Sequence, residues 1–287
     1  VKDTTCTAQF RMLDLRPEMA EWGTPYFVAW TTTPWTLSSN TALCVGPKIE
    51  YACVRTYNMY SGDPVTVVMA KARLTAYLNP AGENKPLDTY KPGDKVIPWQ
   101  VVGEYLGADL VGMRYEQLQQ WVRPDGDAFR VIPGDYVTTE DGTGIVHIAP
   151  TFGADDAAVA KAAGIPPLHL INKKGETRPM VDLTGKFYLM EELAEDFVKS
   201  HIDINLYKQW EGKFVKNAYD PEKSADSETL DVALCMDLKA RHQVFKIEKH
   251  VHNYPHCWRT DKPILYYPLD SWFIKSSACK QRMMQLN

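Results

Sequence analysis

No apolar run in the 287 residues approaches the ~18 consecutive positions that a membrane-spanning helix requires. The opening residues Val1-Lys2-Asp3-Thr4-Thr5-Cys6 hold no apolar signal core either. The chain is therefore expected neither to span a membrane nor to be exported by that route. Close cysteine pairs are also missing. Cys6, Cys44, Cys53, Cys235, Cys257 and Cys279 are scattered, which in a chain this long predicts reduced thiols and a cytoplasmic protein rather than a disulfide frame. Positive net charge is absent too. The 32 Lys+Arg against 36 Asp+Glu leave −4, so a uniformly basic nucleic-acid glove is excluded and any RNA contact must come from a local patch. There is no internal repeat and no Gly-x-Ser-x-Gly nucleophile elbow. The chain lacks an initiating Met and ends at Leu286-Asn287 without a closing signal, so it reads as a piece of something longer.

What is present is ordinary globular material, 45% hydrophobic and 24% charged, in a chain long enough to bury roughly three quarters of its unfolded surface without a metal or disulfide. Cys6, Ala8, Phe10 and Met12 alternate with Thr7, Gln9 and Arg11, the period-two pattern of a half-buried strand. Short β-branched and aromatic runs at 26–30, 41–45, 51–57 and 65–70 predict further strands, separated by Gly46-Pro47 and Ser61-Gly62-Asp63-Pro64. The Pro- and Gly-bearing stretch 80–98 reads as loop, and strand signals resume at 129–132 and 144–149. A helix is predicted over 155–163, acidic in its first turn and ended by Gly164 and Pro166. Apolar spacing predicts two more, over 190–200 and around Leu230, Leu234 and Leu238. Pro221 to Glu228 reads as solvated loop, and 244–274 as extended chain. The expectation is an α+β, β-rich protein with a barrel-like body and peripheral helices.

Two strings could carry chemistry. Trp30-Thr31-Thr32-Thr33-Pro34-Trp35-Thr36-Leu37 sets several hydroxyls where Pro34 stops a strand, although threonine is also simply a good strand residue. The second runs Gly142-Thr143-Gly144-Ile145-Val146-His147-Ile148-Ala149-Pro150-Thr151-Phe152-Gly153-Ala154-Asp155-Asp156. Strand alternation puts His147 on the face opposite Val146 and Ile148, and two carboxylates open the following helix. Read alone, the carboxylates serve equally as helix-terminal charges and the histidine as a core residue.

Together these strings, with Asn40 after the first, resemble the editing insertion domain of isoleucyl-tRNA synthetase, and the Thr-Thr-Thr-Pro-Trp-Thr-Leu wording resembles that enzyme more than its valine and leucine counterparts. His252-Asn253-Tyr254-Pro255-His256-Cys257-Trp258-Arg259 and Ser271-Trp272-Phe273-Ile274 resemble the family's return path to its catalytic domain. The resemblance implies a connecting strand over 1–18, an editing body over 19–251 with 217–249 as an inserted or extended segment, and a return connector over 252–287. Neither His-Ile-Gly-His nor Lys-Met-Ser-Lys-Ser occurs, so ligation with ATP and Mg is expected of the parent enzyme and not of this stretch. Some relatives carry a Cys-x-x-Cys pair in the return segment, whereas Cys257 is followed by Trp258, Arg259 and Thr260. A zinc site from His250, His252, His256 and Cys257 is disfavoured, because a strand would string the histidines over ~20 Å with the cysteine on the other face. No metal or cofactor is expected for editing.

The resemblance also implies a chemistry. One methylene separates isoleucine from valine, worth only ~1–3 kcal/mol in an apolar pocket, a limit for which this enzyme family is itself the standing illustration. A second pocket that admits valine and hydrolyses it multiplies the discrimination. The implied substrate is valine esterified to the 3′ end of tRNA(Ile), or valyl-adenylate. Asp156 is the implied anchor for its α-ammonium group, with Thr31, Thr32 and Thr33 positioning water or donating to the oxyanion. Trp30, Asn40 and His147 are implied on the pocket. Nothing in the sequence makes His147 a general base. The implied partners are the tRNA acceptor end and the rest of a monomeric parent enzyme. The alternative is a noncatalytic acceptor-end docking module, active only in the full enzyme.

Overall fold

The computed structural model describes residues 1–287 apart from 225, 270, 271, 273 and 287, so Ser271 and Phe273 of the return string lie outside the described residues. Eleven strands are described: β1 (Lys2–Arg11), β2 (Thr24–Thr31), β3 (Ala42–Val45), β4 (Glu50–Tyr57), β5 (Pro64–Ala70), β6 (Gln100–Leu106), β7 (Arg130–Pro133), β8 (Ile145–Ile148), β9 (Leu170–Ile171), β10 (Thr177–Arg178) and β11 (Val244–Val251). Six form one mixed sheet in the order β11-β1-β2-β5-β4-β6, antiparallel except for β2 beside β5. A second sheet, β7-β3-β8, pairs β3 parallel to β7 and antiparallel to β8. Helices lie around the sheets, over Ala154–Ala162, Glu195–His201, Leu230–Ala240 and Lys280–Leu286.

The expected β-rich α+β architecture with peripheral helices is present, but the body is two open sheets rather than one closed barrel. In the described strand order, β11 and β6 are free edges of the larger sheet. The sheets instead share a core. Cys6, Ala8 and Phe10 of β1, Phe27 and Ala29 of β2, and Val68 and Ala70 of β5 pack with Leu43 and Val45 of β3, Val131 of β7 and Ile145 of β8. On the outer face of the larger sheet, Val28, Val54, Val67 and Met69 pack with Trp99 and Phe245. Behind the smaller sheet, Ala42, Cys44, Ile132 and Ile148 meet Ala160 of the helix Ala154–Ala162.

Two expectations need correction. The polar side of β1 is not solvated: Thr5, Thr7 and Gln9 are each 1% exposed, because β1 is an interior strand flanked by β11 and β2. Gln9 Nε2 donates to His242 O and its Oε1 accepts from Asn58, so the buried amide is satisfied. The helix predicted over 190–200 is broken into a 3₁₀ turn, Met190–Glu192, and the helix Glu195–His201. Between them Ala194 N donates to Ile171 O and Leu193 bridges Asn172, so sheet-like pairing captures the backbone that a continuous helix would need. The extended reading of 244–274 is strand over Val244–Val251, and no helix is described from there to Ile274.

The segment 217–249 contains the helix Leu230–Ala240 and β11. The helix is N-capped by Thr229, whose hydroxyl accepts from Val232 N. It buries Leu230, Leu234, Cys235 and Leu238, the four-residue spacing read from the sequence. Leu230 and Leu234 join a second apolar cluster with Trp35, Trp121, Phe187 and Trp210, and the helix thereby packs beside the chain that leaves β2.

Candidate functional site

Strand β2 ends at Thr31, and the backbone passes Thr32 and Thr33 before turning into a buried 3₁₀ helix, Pro34–Ser39. Proline suits that first position, since it has no N–H to leave unpaired. The tight return folds the threonine side chains back on one another. Thr31 Oγ1 lies 3.4 Å from Thr33 Oγ1 and accepts from Thr33 N at 3.1 Å. Thr33 Oγ1 lies 3.4 Å from Thr36 Oγ1, which donates to Thr33 O at 2.8 Å and reaches His147 Nε2 at 3.2 Å. A chain of neutral polar atoms thus runs from the end of β2 to β8.

His147 sits opposite Leu43 in the β3–β8 ladder, while its neighbours Val146 and Ile148 pack toward the helix Ala154–Ala162, as strand alternation required. It is 8% exposed, and burial pushes its imidazole down to about 4, so the ring is neutral at physiological pH. Its face of β8 opens on a cavity of about 330 Å³, within the usual range for a small-ligand pocket. Trp30, Thr31 and Thr32 form one wall, and Tyr136, Thr138 and the run from Asp141 to His147 form the rest. Gly142 closes this wall against the indole: a Cβ there would stand 3.2 Å from Trp30 Cε3. On its other side Trp30 meets the His250 ring edge-on at 5.3 Å. There a smaller cavity of about 210 Å³ shares Trp30, Asp141 and Gly142 with the first and adds Arg73, Lys246, Lys249 and His250. A larger concavity, about 670 Å³ along 276–286, is lined by lysine, serine and apolar groups of one exposed terminal segment and lacks His, Asp or Glu in its lining.

Not every residue singled out in the sequence reaches this cavity. Thr33 is joined to it through the hydroxyl chain. Asp156 is half-buried in the first turn of the helix after β8, where Oδ2 accepts from Ala149 N at 2.9 Å and ties the helix to the strand end. Burial lifts its carboxyl to about 6, opposed by the Ala149 N–H and reinforced by the neighbouring Asp155 charge. Its own charge is felt by Tyr136, a wall of the cavity. Asn40 lies in the core: its amide donates to Ala42 O at 2.8 Å and its oxygen accepts from Tyr115 Oη at 2.7 Å.

The structure adds residues that carried no role in the sequence reading. Thr36 links Thr33 to His147, and its place three residues after Thr33 was the available signal. Tyr136 and Asp141 carried none. Asp231, 3% exposed, accepts from Trp35 N at 2.9 Å across 196 residues of chain. Burial raises it to about 6, opposed by Lys216 and the Trp35 N–H. The histidines of the return segment have other partners: His252 Nε2 pairs with Asp3 at 3.1 Å and His256 Nδ1 with Tyr254 O at 2.8 Å. Among the described residues, no group of three or more His, Cys, Asp or Glu side chains converges as a metal-ligand set. No helix among them is long and apolar enough to cross a membrane.

No family model matches the chain. Its sequence relatives are aminoacyl-tRNA synthetases. Over all 287 residues it is 70% identical to an isoleucine–tRNA ligase of Bacteroides fragilis, covering 25% of that protein, and 58% identical over 288 aligned positions to one of Porphyromonas gingivalis. An isoleucine–tRNA ligase of Clostridium tetani is 35% identical over 262 residues, 91% of this chain. The chain belongs to the isoleucine–tRNA ligase family and spans about a quarter of the length of the Bacteroides relatives it matches. Similar solved chains include the editing domain of Plasmodium falciparum cytosolic leucyl-tRNA synthetase, at TM-score 0.48 and 11% identity, covering 88% of this chain and 100% of that one. The Plasmodium knowlesi counterpart has TM-score 0.47 and 12% identity, covering 93% and 97%.

Proposed function

We propose that this chain is the editing domain of an isoleucyl-tRNA synthetase and hydrolyses valine from mischarged Val-tRNA(Ile), and valyl-adenylate where that forms. The observation that carries the reading is the cavity on which Trp30, Thr31, Thr32 and His147 converge, backed by the hydroxyl chain through Thr33 and Thr36. Ester hydrolysis needs a positioned water, donors for the developing oxyanion and a hold on the substrate. The threonine hydroxyls supply donors that carry no charge. A carboxylate is needed for the substrate's α-ammonium group; Asp141 stands in the cavity wall, and Asp156, outside the lining at the start of the following helix, is the anchor that the family resemblance implies. The Asp156 Oδ2 accepts from Ala149 N, which fixes that carboxylate's orientation.

His147 is not assigned the role of base. At about 4, its imidazole is too weak to take a proton from water efficiently near neutrality. An adjacent ribose hydroxyl of the substrate assists the water instead, with no metal or cofactor in this step. The adjoining cavity sets Arg73, Lys246 and Lys249 beside Asp141 and Glu248, with Lys246 paired to Glu248 at 2.9 Å, so Lys249 is the cation there best placed for an acceptor-end phosphate. Isoleucine ligation with ATP and Mg is assigned to the remainder of the parent enzyme, in the cytoplasm.

Deacylation of Val-tRNA(Ile) and Ile-tRNA(Ile) by the chain, beside Asp156→Ala at matched concentration, tests the reading. Loss of valine but not isoleucine, abolished or redirected to isoleucine by the substitution, is the expected result. A folded chain that spares both esters at high concentration refutes independent hydrolysis and leaves an acceptor-end docking module.

A further inference from the structure

The 3₁₀ helix Pro34–Ser39 begins without help from its own N-cap. Thr33 stands at that position, yet its side chain makes no capping hydrogen bond. The backbone donors of the first turn can be accounted for one by one. Pro34 has no N–H, and Thr36 N donates to Thr33 O at 3.0 Å. Trp35 N remains, in a buried setting, and donates to Asp231 Oδ1 at 2.9 Å. A carboxylate from the helix Leu230–Ala240 therefore does what an Asp or Thr at the N-cap ordinarily does for the second or third helical N–H. The arrangement is braced from behind. Lys216 Nζ lies 3.5 Å from Asp231 Oδ2 and 3.9 Å from Asp3 Oδ2, and it stands over the Tyr254 ring at 4.8 Å. Leu230 and Leu234 of the same helix pack with the Trp35 side chain.

We propose that Asp231 is a positioning residue for the threonine loop, capping its turn in place of Thr33 so that the Thr33 hydroxyl stays in the chain that joins Thr31, Thr36 and His147. The proposal rests on the hydrolytic role assigned to these threonines above. Its mechanism is a competition for one donor. Without the carboxylate, Trp35 N is buried with no acceptor, and the Thr33 hydroxyl sits at the position from which N-cap side chains reach that N–H. Once Thr33 turns to cap its own helix, it leaves the hydroxyl chain, and the loop holds its fold but loses its working geometry. The helix Leu230–Ala240, none of whose side chains lines the cavity, thereby acquires a function at the site.

The test compares Asp231→Ala and Asp231→Asn with the parent chain, reading kcat and KM for Val-tRNA(Ile) deacylation and, separately, hydrogen exchange of the Trp35 amide. Asparagine keeps an oxygen for Trp35 N and removes the charge facing Lys216. The expected result is a kcat loss of about 10–100-fold for Ala, the size associated with small misplacements of catalytic groups, with KM changed less. Trp35 exchange is then accelerated in the Ala variant, and both readouts are restored to within about threefold in the Asn variant. An Ala variant with parental kcat and a protected Trp35 amide overturns the proposal. So does an Asn variant that keeps the amide protected but loses as much kcat as Ala, since charge rather than the cap would then matter. If the Ala variant does not fold, the Asn variant decides alone: retained kcat with a protected amide supports the cap, and a tenfold or greater loss overturns it. If the parent chain cleaves nothing, the functional reading fails, while the exchange data still show whether Asp231 caps the turn.

Discussion

Asp156 should weaken the fold that it serves. Its carboxyl is lifted from the ordinary 3.8 to about 6, chiefly by burial, so the folded chain holds that proton more tightly than the unfolded chain does. By linkage, the folded state is favoured by this proton below pH 4 and loses stability as pH rises from about 4 to about 6, with the full cost present above that. At ~1.36 kcal/mol per pKa unit, keeping Asp156 ionised costs roughly 3 kcal/mol at most. Asp156→Asn keeps an oxygen for Ala149 N and removes the charge. Urea denaturation followed by tryptophan fluorescence should show it about 1–3 kcal/mol more stable than the parent at pH 7.5, with the gap closing toward pH 4. Deacylation should move the other way. Replacing a charge-assisted hydrogen bond to the ammonium group, worth ~1.5–3 kcal/mol, lowers kcat/KM roughly 10- to 100-fold. The parent's own activity should fall as pH drops through 6. An Asn variant less stable than the parent at pH 7.5, or a stability gap equal at both pH values, refutes the account of Asp156 as a charge held at the fold's expense.

Three further outcomes are expected. The His147 ring, at about 4, should show no NMR titration between pH 5 and 8, and its contribution to stability should be complete above pH 6.5 and lost as pH falls through 4; titration near 6.5 refutes its burial as a neutral ring. Asn40→Ala strands the Tyr115 hydroxyl and Ala42 O in the core and should cost about 2–5 kcal/mol in urea denaturation with KM unchanged for the folded fraction; a tenfold KM rise in a fully folded variant would restore Asn40 to the substrate's side. Gly144 has φ +76° and an added Cβ would stand 2.4 Å from Ala70 Cβ, so Gly144→Ala should destabilise by about 2–4 kcal/mol; parental stability would contradict the close approach of the turn before β8 to Ala70 at the end of β5.

What could be read from the sequence was whatever is written within a few consecutive residues. The alternation Cys6, Ala8, Phe10 identified the shared-core face of β1, and the threonine and His147 strings marked the two walls of the cavity. The polar face of β1 misled, because nothing local announces that Asn58 and His242 O will satisfy Gln9. β6 was missed because Gly103 and Glu104 interrupt its pattern, which an edge strand tolerates. The break before Glu195 is decided by Ile171 and Asn172, and the cap on Trp35 by a residue 196 positions away. Composition and period carry no information about such pairings, which follow from the packing of whole elements.

The protonation pattern of the site follows from one hydroxyl. Thr36 has a single proton and gives it to Thr33 O at 2.8 Å, so toward His147 its oxygen can only accept. Nε2 therefore carries the imidazole proton, and Nδ1, buried and without a partner among the described residues, is the nitrogen left with a lone pair. Burial already disfavours a second proton on the ring, so His147 cannot become a fixed positive charge beside the pocket at neutral pH. A cation there would repel the substrate ammonium that Asp156 is proposed to hold. Keeping His147 neutral and the threonine chain uncharged leaves the carboxylates, Asp141 in the cavity wall and Asp156 at the following helix, to set which end of the aminoacyl group enters first. Replacing His147 by a permanent cation should then raise KM for Val-tRNA(Ile), whereas a neutral replacement of similar size should spare it.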